Sequence, residues 1–159
     1  MTTKRTIDDW FDEYGKYHVN KTNKFIHWIC IPLITLSLLG LLWSIPLPTR
    51  IASISPWLNC ATLFSALSLV FYLRLSRPIA VGMAITAGFM LIVIYICETQ
   101  LPGMAWKGSL LIFVLAWIGQ FIGHKIEGRK PAFVDDLQFL LIGPAWLLGF
   151  IYARMGIAY

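Results

Sequence analysis

The chain contains three histidines, His18, His27 and His124, and each stands among hydrogen-bonding side chains at the edge of an apolar run. His18 and His27 lie in YHVNKTNKFIH, residues 17–27, and His124 in WIGQFIGHKIEGRKPA, residues 117–132. Neutral imidazoles joined by a carboxylate suit iron or zinc. One option is an iron site with open positions, in the manner of oxygenases that use two histidines and one carboxylate. Zinc with three protein ligands and a water is the other. If a helix runs through the second stretch, Gln120, His124 and Glu127 fall at i, i+4 and i+7 and share a face. The expected ligand set is therefore His18, His27, His124 and Glu127, with Asn20, Asn23 and Gln120 as hydrogen-bond partners for the ring nitrogens. Set against this, a histidine at a membrane edge is often no more than a hydrogen-bonded polar residue. Glu127, between Lys125 and Arg129, reads equally well as a surface charge.

Positioning these side chains makes demands on the elements that carry them. His18 and His27 are nine residues apart, about half a turn out of phase on one continuous helix, so the chain must break between them. Asn20, Thr22 and Asn23 supply the break, and Asn23 as N-cap would put His27 in the first turns of a new helix. Ahead of it, Ile7, Trp10, Phe11, Tyr14 and His18 recur at helical spacing with Asp8, Asp9, Asp12, Glu13 and Lys16 off the stripe. Thr6 and Asp9 are spaced to cap that helix. An amphipathic helix lying on a membrane surface or against a bundle follows, folded back so that His18 approaches His27.

The composition, 58% hydrophobic and 13% charged over 159 residues, lies outside the range of ordinary soluble domains and predicts an all-α integral membrane protein. We read one membrane domain over residues 1–159, with an amphipathic helix and turn over 1–24 and a bundle over 25–159. Five apolar runs mark its helices: Phe25 to Ile45, Trp57 to Leu73, Ile79 to Cys97, Ser109 to Ile122 and Leu137 to Tyr152. The fourth and fifth are short for a span. If all five cross, one side receives Lys4, Arg5, Lys16, Lys21, Lys24, Arg74, Arg77, Lys125, Arg129 and Lys130. The other side receives only Arg50, Lys107 and Arg154. The N-terminus and all three histidines are then cytoplasmic, in a bacterial inner membrane or an endoplasmic reticulum membrane according to source, and the C-terminus lies outside. The scattered basic residues form no stripe for nucleic acid. No Asp, Glu, Lys or Arg interrupts the five runs, which argues against transport. Cys60 and Cys97 fall near the same face, so a disulfide between them is open.

The two polar segments, YHVNKTNKFIH followed by Pro32 and WIGQFIGHKIEGRKPAFVDDL, resemble the signature segments of the membrane 2-hydroxy fatty acid dioxygenases. The resemblance covers both motifs, their order, their separation by several hydrophobic helices and nearly the whole chain. It implies alpha-oxidation dependent on Fe(II), in which a long-chain 2-hydroxy fatty acid reacts with O2 to give the acid one carbon shorter. It also implies catalytic roles for His18, His27 and His124. Zinc is an alternative occupant of such a site. Arg129 and Lys130 are placed to attract the substrate carboxylate, Arg129 with bidentate geometry. The His124-Lys125-Ile126-Glu127 spacing departs from the family pattern by one residue. The competing class is a non-enzymatic scaffold or lipid-binding bundle, which predicts no bound metal.

Overall fold

Thr6 begins the first helix as the sequence requires. Its hydroxyl accepts from the Asp9 amide at 3.2 Å, and its own amide donates to Asp9 Oδ2 at 2.8 Å. This is a complete capping box. In the computed structural model, which describes residues 5–159, that helix is α1, Ile7–Gly15, followed by α2 (Lys21–Trp43), α3 (Thr49–Ala52), α4 (Cys60–Leu75), α5 (Arg77–Gln100) and α6 (Ala105–Glu127). A short 3-10 turn at Ala132–Val134 leads into α7, Phe139–Met155. The described chain is all helical, and α2, α5 and α6 are long and apolar enough to cross a membrane.

The five apolar runs thus become five helices, with two shifts of length. The fourth is 23 residues, not short, because its flanks from Ala105 to Gly108 and from Gly123 to Glu127 stay helical. The second shrinks to 16 residues, or about 24 Å, because Asn59 caps it at Ala61 and Thr62, two residues inside the apolar run. All three cysteines are free thiols.

Antiparallel α2 and α6 form the most extensive helix pair. Their closeness depends on small residues spaced four apart: a Cβ at Gly119 would sit 2.7 Å from Cys30 Sγ, and one at Gly123 would collide with Asn23 Oδ1. At the end of α6, Gly128 adopts φ 71°, the left-handed conformation that stops the helix and turns the chain back.

The fifth helix overturns the expectation that the C-terminus leaves on the opposite face. Near its start, Tyr72 at the end of α4 donates to Leu141 O at 2.7 Å. Near its finish, Tyr152 donates to Pro78 O, at the start of α5, at 3.0 Å. The ends of α4 and α6 and the starts of α2 and α5 share one end of the bundle, so both ends of α7 are fastened there. Tyr159 then packs edge-on against Phe11 of α1, with centroids 5.7 Å apart. One face of the run is apolar because it is buried in protein: Phe139, Ile142, Ala145, Trp146 and Leu147 pack in one core with Ile7, Trp10, Phe11 and Tyr14. Hydropathy alone does not separate that setting from lipid. Together α1 and α7 cover the histidine end. Arg154 accordingly joins the basic residues at this end, and among the described residues only Arg50 and Lys107 remain at the other; Lys4 lies outside the described residues.

Candidate metal centre

Two main-chain carbonyls set the orientation of two rings. His18, three residues beyond α1, places Nδ1 2.7 Å from Tyr14 O, and His27, in the second turn of α2, places Nδ1 2.9 Å from Asn23 O. A carbonyl can only accept, so each Nδ1 carries the proton and each Nε2 is left as a bare lone pair. His18 Nε2 is buried without any partner. His27 Nε2 faces His124 Nε2 at 3.2 Å, and His124 Nδ1 is also buried and unpartnered. The three rings are 1%, 1% and 6% exposed, and one nitrogen from each lies within 4.8 Å of the others.

In one tautomer His124 Nε2–H donates to His27 Nε2, yet His18 Nε2 and His124 Nδ1 still stay unpaired in a dry site, which is costly. A shared cation relieves that cost, and two nitrogens bound at about 2.1 Å on neighbouring positions of one ion stand about 3.0–3.4 Å apart. The 3.2 Å separation of the His27 and His124 nitrogens fits. Burial also pulls the His18 pKa down to about 4, so this imidazole is neutral at physiological pH and available as a donor. The three histidines therefore form a site able to hold a metal.

The turn between α1 and α2 differs in detail from expectation. Asn20, not Asn23, is the N-cap, its Oδ1 accepting from the amides of Thr22 at 2.8 Å and Asn23 at 3.3 Å. Asn23 is held elsewhere: its Nδ2 donates to Glu127 Oε2 at 2.9 Å. Glu127 also accepts from the amides of Val19 at 2.9 Å and Asn20 at 3.0 Å. Both carboxylate oxygens of Glu127 are thus engaged with the turn that carries His18, and the trio of converging ligand atoms is made by the histidines. Of the three amide side chains expected beside the rings, none bonds a ring nitrogen; Asn23 reaches His27 through its main-chain carbonyl. Gln120, one turn before His124, is 7% exposed with Oε1 unpartnered, and it lines a pocket of about 50 Å³ together with His27, His124 and Tyr14.

Arg129 donates from Nη1 to Lys16 O at 2.6 Å, fastening α6 to the end of α1. Lys130 is exposed, 3.8 Å from Asp135 Oδ1. Tyr14, which the stripe pattern identified only as an apolar anchor, stacks on His18 with centroids 4.2 Å apart and interplanar angle 27°. Its place four residues before His18 is the local signal for that role. Trp146, 5.4 Å from the same ring, arrives from the other end of the sequence, and no local pattern predicts it.

An all-helical bundle with apolar helices of membrane-spanning length, closed at one end over three buried imidazoles, defines a class of membrane protein with an enclosed histidine site. The chain belongs to the Mpo1-like family: the family model described as 2-hydroxy-palmitic acid dioxygenase Mpo1-like matches residues 4–155. It is 30% identical over 146 residues to the 2-hydroxy-palmitic acid dioxygenase MPO1 of Saccharomyces cerevisiae, covering 90% of this chain and 78% of the yeast protein. No solved structure matches. Membership supports an enzyme role related to 2-hydroxy fatty acid dioxygenation.

Proposed function

We propose that this protein is an Fe(II)-dependent dioxygenase that converts long-chain 2-hydroxy fatty acids to fatty acids one carbon shorter. The observation that carries this reading is the convergence of His18, His27 and His124, with two rings locked by main-chain carbonyls so that Nε2 is free. These three residues would hold the ferrous ion, and zinc could occupy the same nitrogens in a purified sample. When bound, the metal supplies binding of the 2-hydroxy carboxylate and activation of O2.

The chain's own residues do the rest. Tyr14 and Trp146 wall His18 with aromatic surface and exclude water. Glu127 holds the turn through Val19, Asn20 and Asn23, so that its role in this reading is to fix the histidines and not to ligate. Gln120 presents its amide to the small pocket, where it can bond the substrate hydroxyl or carboxylate. Arg129 and Lys130 add positive charge at this end and draw a fatty acid anion toward it. The reaction balances without an added reductant: the substrate's hydroxyl-bearing and carboxyl carbons supply the four electrons that O2 takes up, with one carbon leaving as CO2 and water formed.

Protein purified in lipid, loaded anaerobically with Fe(II) and given a 2-hydroxy fatty acid, should consume O2 and yield the acid one carbon shorter. His18→Ala, His27→Ala and His124→Ala should each lose the metal and at least about 100-fold in rate, since substitutions merely adjacent to ligands already cost 10–100-fold. One bound metal without turnover would overturn the substrate and keep the site. Absence of both would leave a lipid-binding bundle or scaffold.

A further inference from the structure

The histidine pocket does not end at the imidazoles. Five of its lining residues, Ile34, Thr35, Trp117, Leu140 and Pro144, also line a partly open cavity of about 410 Å³ among α2, α4, α5, α6 and the first turns of α7. That cavity is apolar even where its residues are not. Thr35 Oγ1 donates to Ile31 O, Ser68 Oγ to Phe64 O and Tyr72 OH to Leu141 O, so these hydroxyls are spent on main-chain carbonyls. Ser65 Oγ alone among the cavity's hydroxyls lacks a partner. At the far limit Leu39 and Phe64 pack into a cluster with Ala61, Leu91 and Ile94, which bounds the cavity at that end.

We propose that this cavity is the acyl-chain site of the substrate and that Leu39, Phe64 and Ser65 at its far end set the chain length. The proposal rests on the dioxygenase reading for the identity of the headgroup. Its size follows from the helix: His27 and Leu39 are twelve residues apart on α2, about 18 Å at 1.5 Å per residue. Three extended single bonds span at most about 3.6 Å, or about 1.2 Å each. The path therefore accommodates about fifteen bonds, a long-chain acid. On the dioxygenase reading the free acid is favoured over a membrane phospholipid, which lacks the adjacent hydroxyl and carboxylate that a metal held by the three histidines would bind.

The test uses the full chain in phospholipid nanodiscs, with a fluorescent polyene fatty acid displaced by saturated 2-hydroxy fatty acids of increasing length, and product formation measured in parallel. Wild-type affinity should rise with length and then fall. Ser65→Phe should move the optimum to shorter chains and Phe64→Ala to longer ones, each changing the affinity ratio of two lengths that differ by two carbons about ten-fold, the worth of two buried methylenes. Metal content reports whether each variant retains the site; if Ser65→Phe fails to fold, Phe64→Ala decides alone. An optimum unmoved in the folded variants, or a probe that none of the acids displaces, overturns the proposal even if wild-type protein turns over. A shifted binding optimum without product upholds the cavity and overturns the dioxygenase reading.

Discussion

At the histidine end, side-chain hydrogen bonds join segments far apart in the chain: Glu127 to Val19 and Asn20, Asn23 to Glu127, Arg129 to Lys16, Tyr72 to Leu141 and Tyr152 to Pro78. At the opposite end, the long-range contacts are aromatic and the side-chain hydrogen bonds are local. Trp57 packs between Trp43 and Tyr95, with centroids 5.5 and 5.0 Å apart, and the side-chain bonds there, such as Thr62 to Trp57 O and Gly103 N to Glu98, stay within five residues. The difference teaches what each end must achieve. Apolar packing is non-directional and tolerates small slips of one helix past another. Three nitrogens that must meet within a few ångströms require directional bonds that fix register.

The sharpest way to break this contrast is to pry α2 from α6 at the histidine end. Gly123→Val puts side chain where Asn23 Oδ1 already sits, and should cost about 1–3 kcal/mol in overpacking. It should also abolish stoichiometric metal binding, because His27 and His124 separate with their helices. Thermal unfolding and elemental analysis check both. Retained metal would mean that the histidines are aligned by something other than this helix pair.

Glu127→Gln comes next and separates two roles for one carboxylate. As the holder of the turn, Glu127 acts through the amides of Val19 and Asn20. The substitution should then leave one metal per chain, weaken its binding about ten-fold and speed amide exchange at those two residues. If it abolishes metal binding with unchanged exchange, Glu127 is a ligand.

The covering layer gives a smaller effect. Thr6→Ala removes the N-cap of α1 and should cost about 1 kcal/mol, read as faster exchange over the α1 amides. Acidification should mimic it. The Asp9 carboxyl is held below its ordinary 3.8, first by the Thr6 amide and then by the Thr6 hydroxyl. A depressed folded value means that the stabilisation is present above pH 3.8 and is lost as pH falls below it. In Thr6→Ala, which removes the hydroxyl but keeps the amide, the acid dependence of α1 exchange should weaken without vanishing.

What was legible in the sequence was what repeats locally. The Thr6–Asp9 box formed as read, and so did the stripe from Ile7 through Trp10 and Phe11 to Tyr14; His18, expected on the same stripe, lies three residues beyond the end of α1 at Gly15. The apolar runs gave the helices of the bundle. What escaped depended on distant partners. The occupation of Glu127 is decided by amides 107 and 108 positions away, and the turn's choice of Asn20 over Asn23 as cap follows from it, since Asn23 is bound to that same carboxylate. Gly119 and Gly123, four apart, admit α2 at close range, a contact that was not read from the sequence. The course of α7 escaped for a different reason: an apolar helix buried under α1 and one immersed in lipid carry the same residues.

The smallest expected effect tests the far end. Trp57 is 40% exposed and touches Trp43 and Tyr95 by ring packing, so Trp57→Phe keeps an aromatic ring in place and removes only part of the contact. Stability should fall by no more than about 0.5 kcal/mol, the usual range for exposed substitutions, and metal stoichiometry should stay at the wild-type value. That second expectation has the greater reach. The cavity proposed for the acyl chain ends at Leu39 and Phe64, in the cluster against which Trp43 packs, but no side-chain hydrogen bond among the described residues links the trio to the histidine end. A local disturbance at Trp57 therefore reaches the histidines only through non-directional apolar packing and helix translation, and small residues along α2 and α6 already hold that pair in register. Loss of metal in Trp57→Phe would show that the far end also sets the register of α2 against α6, and the two ends would have to be treated as one mechanical unit.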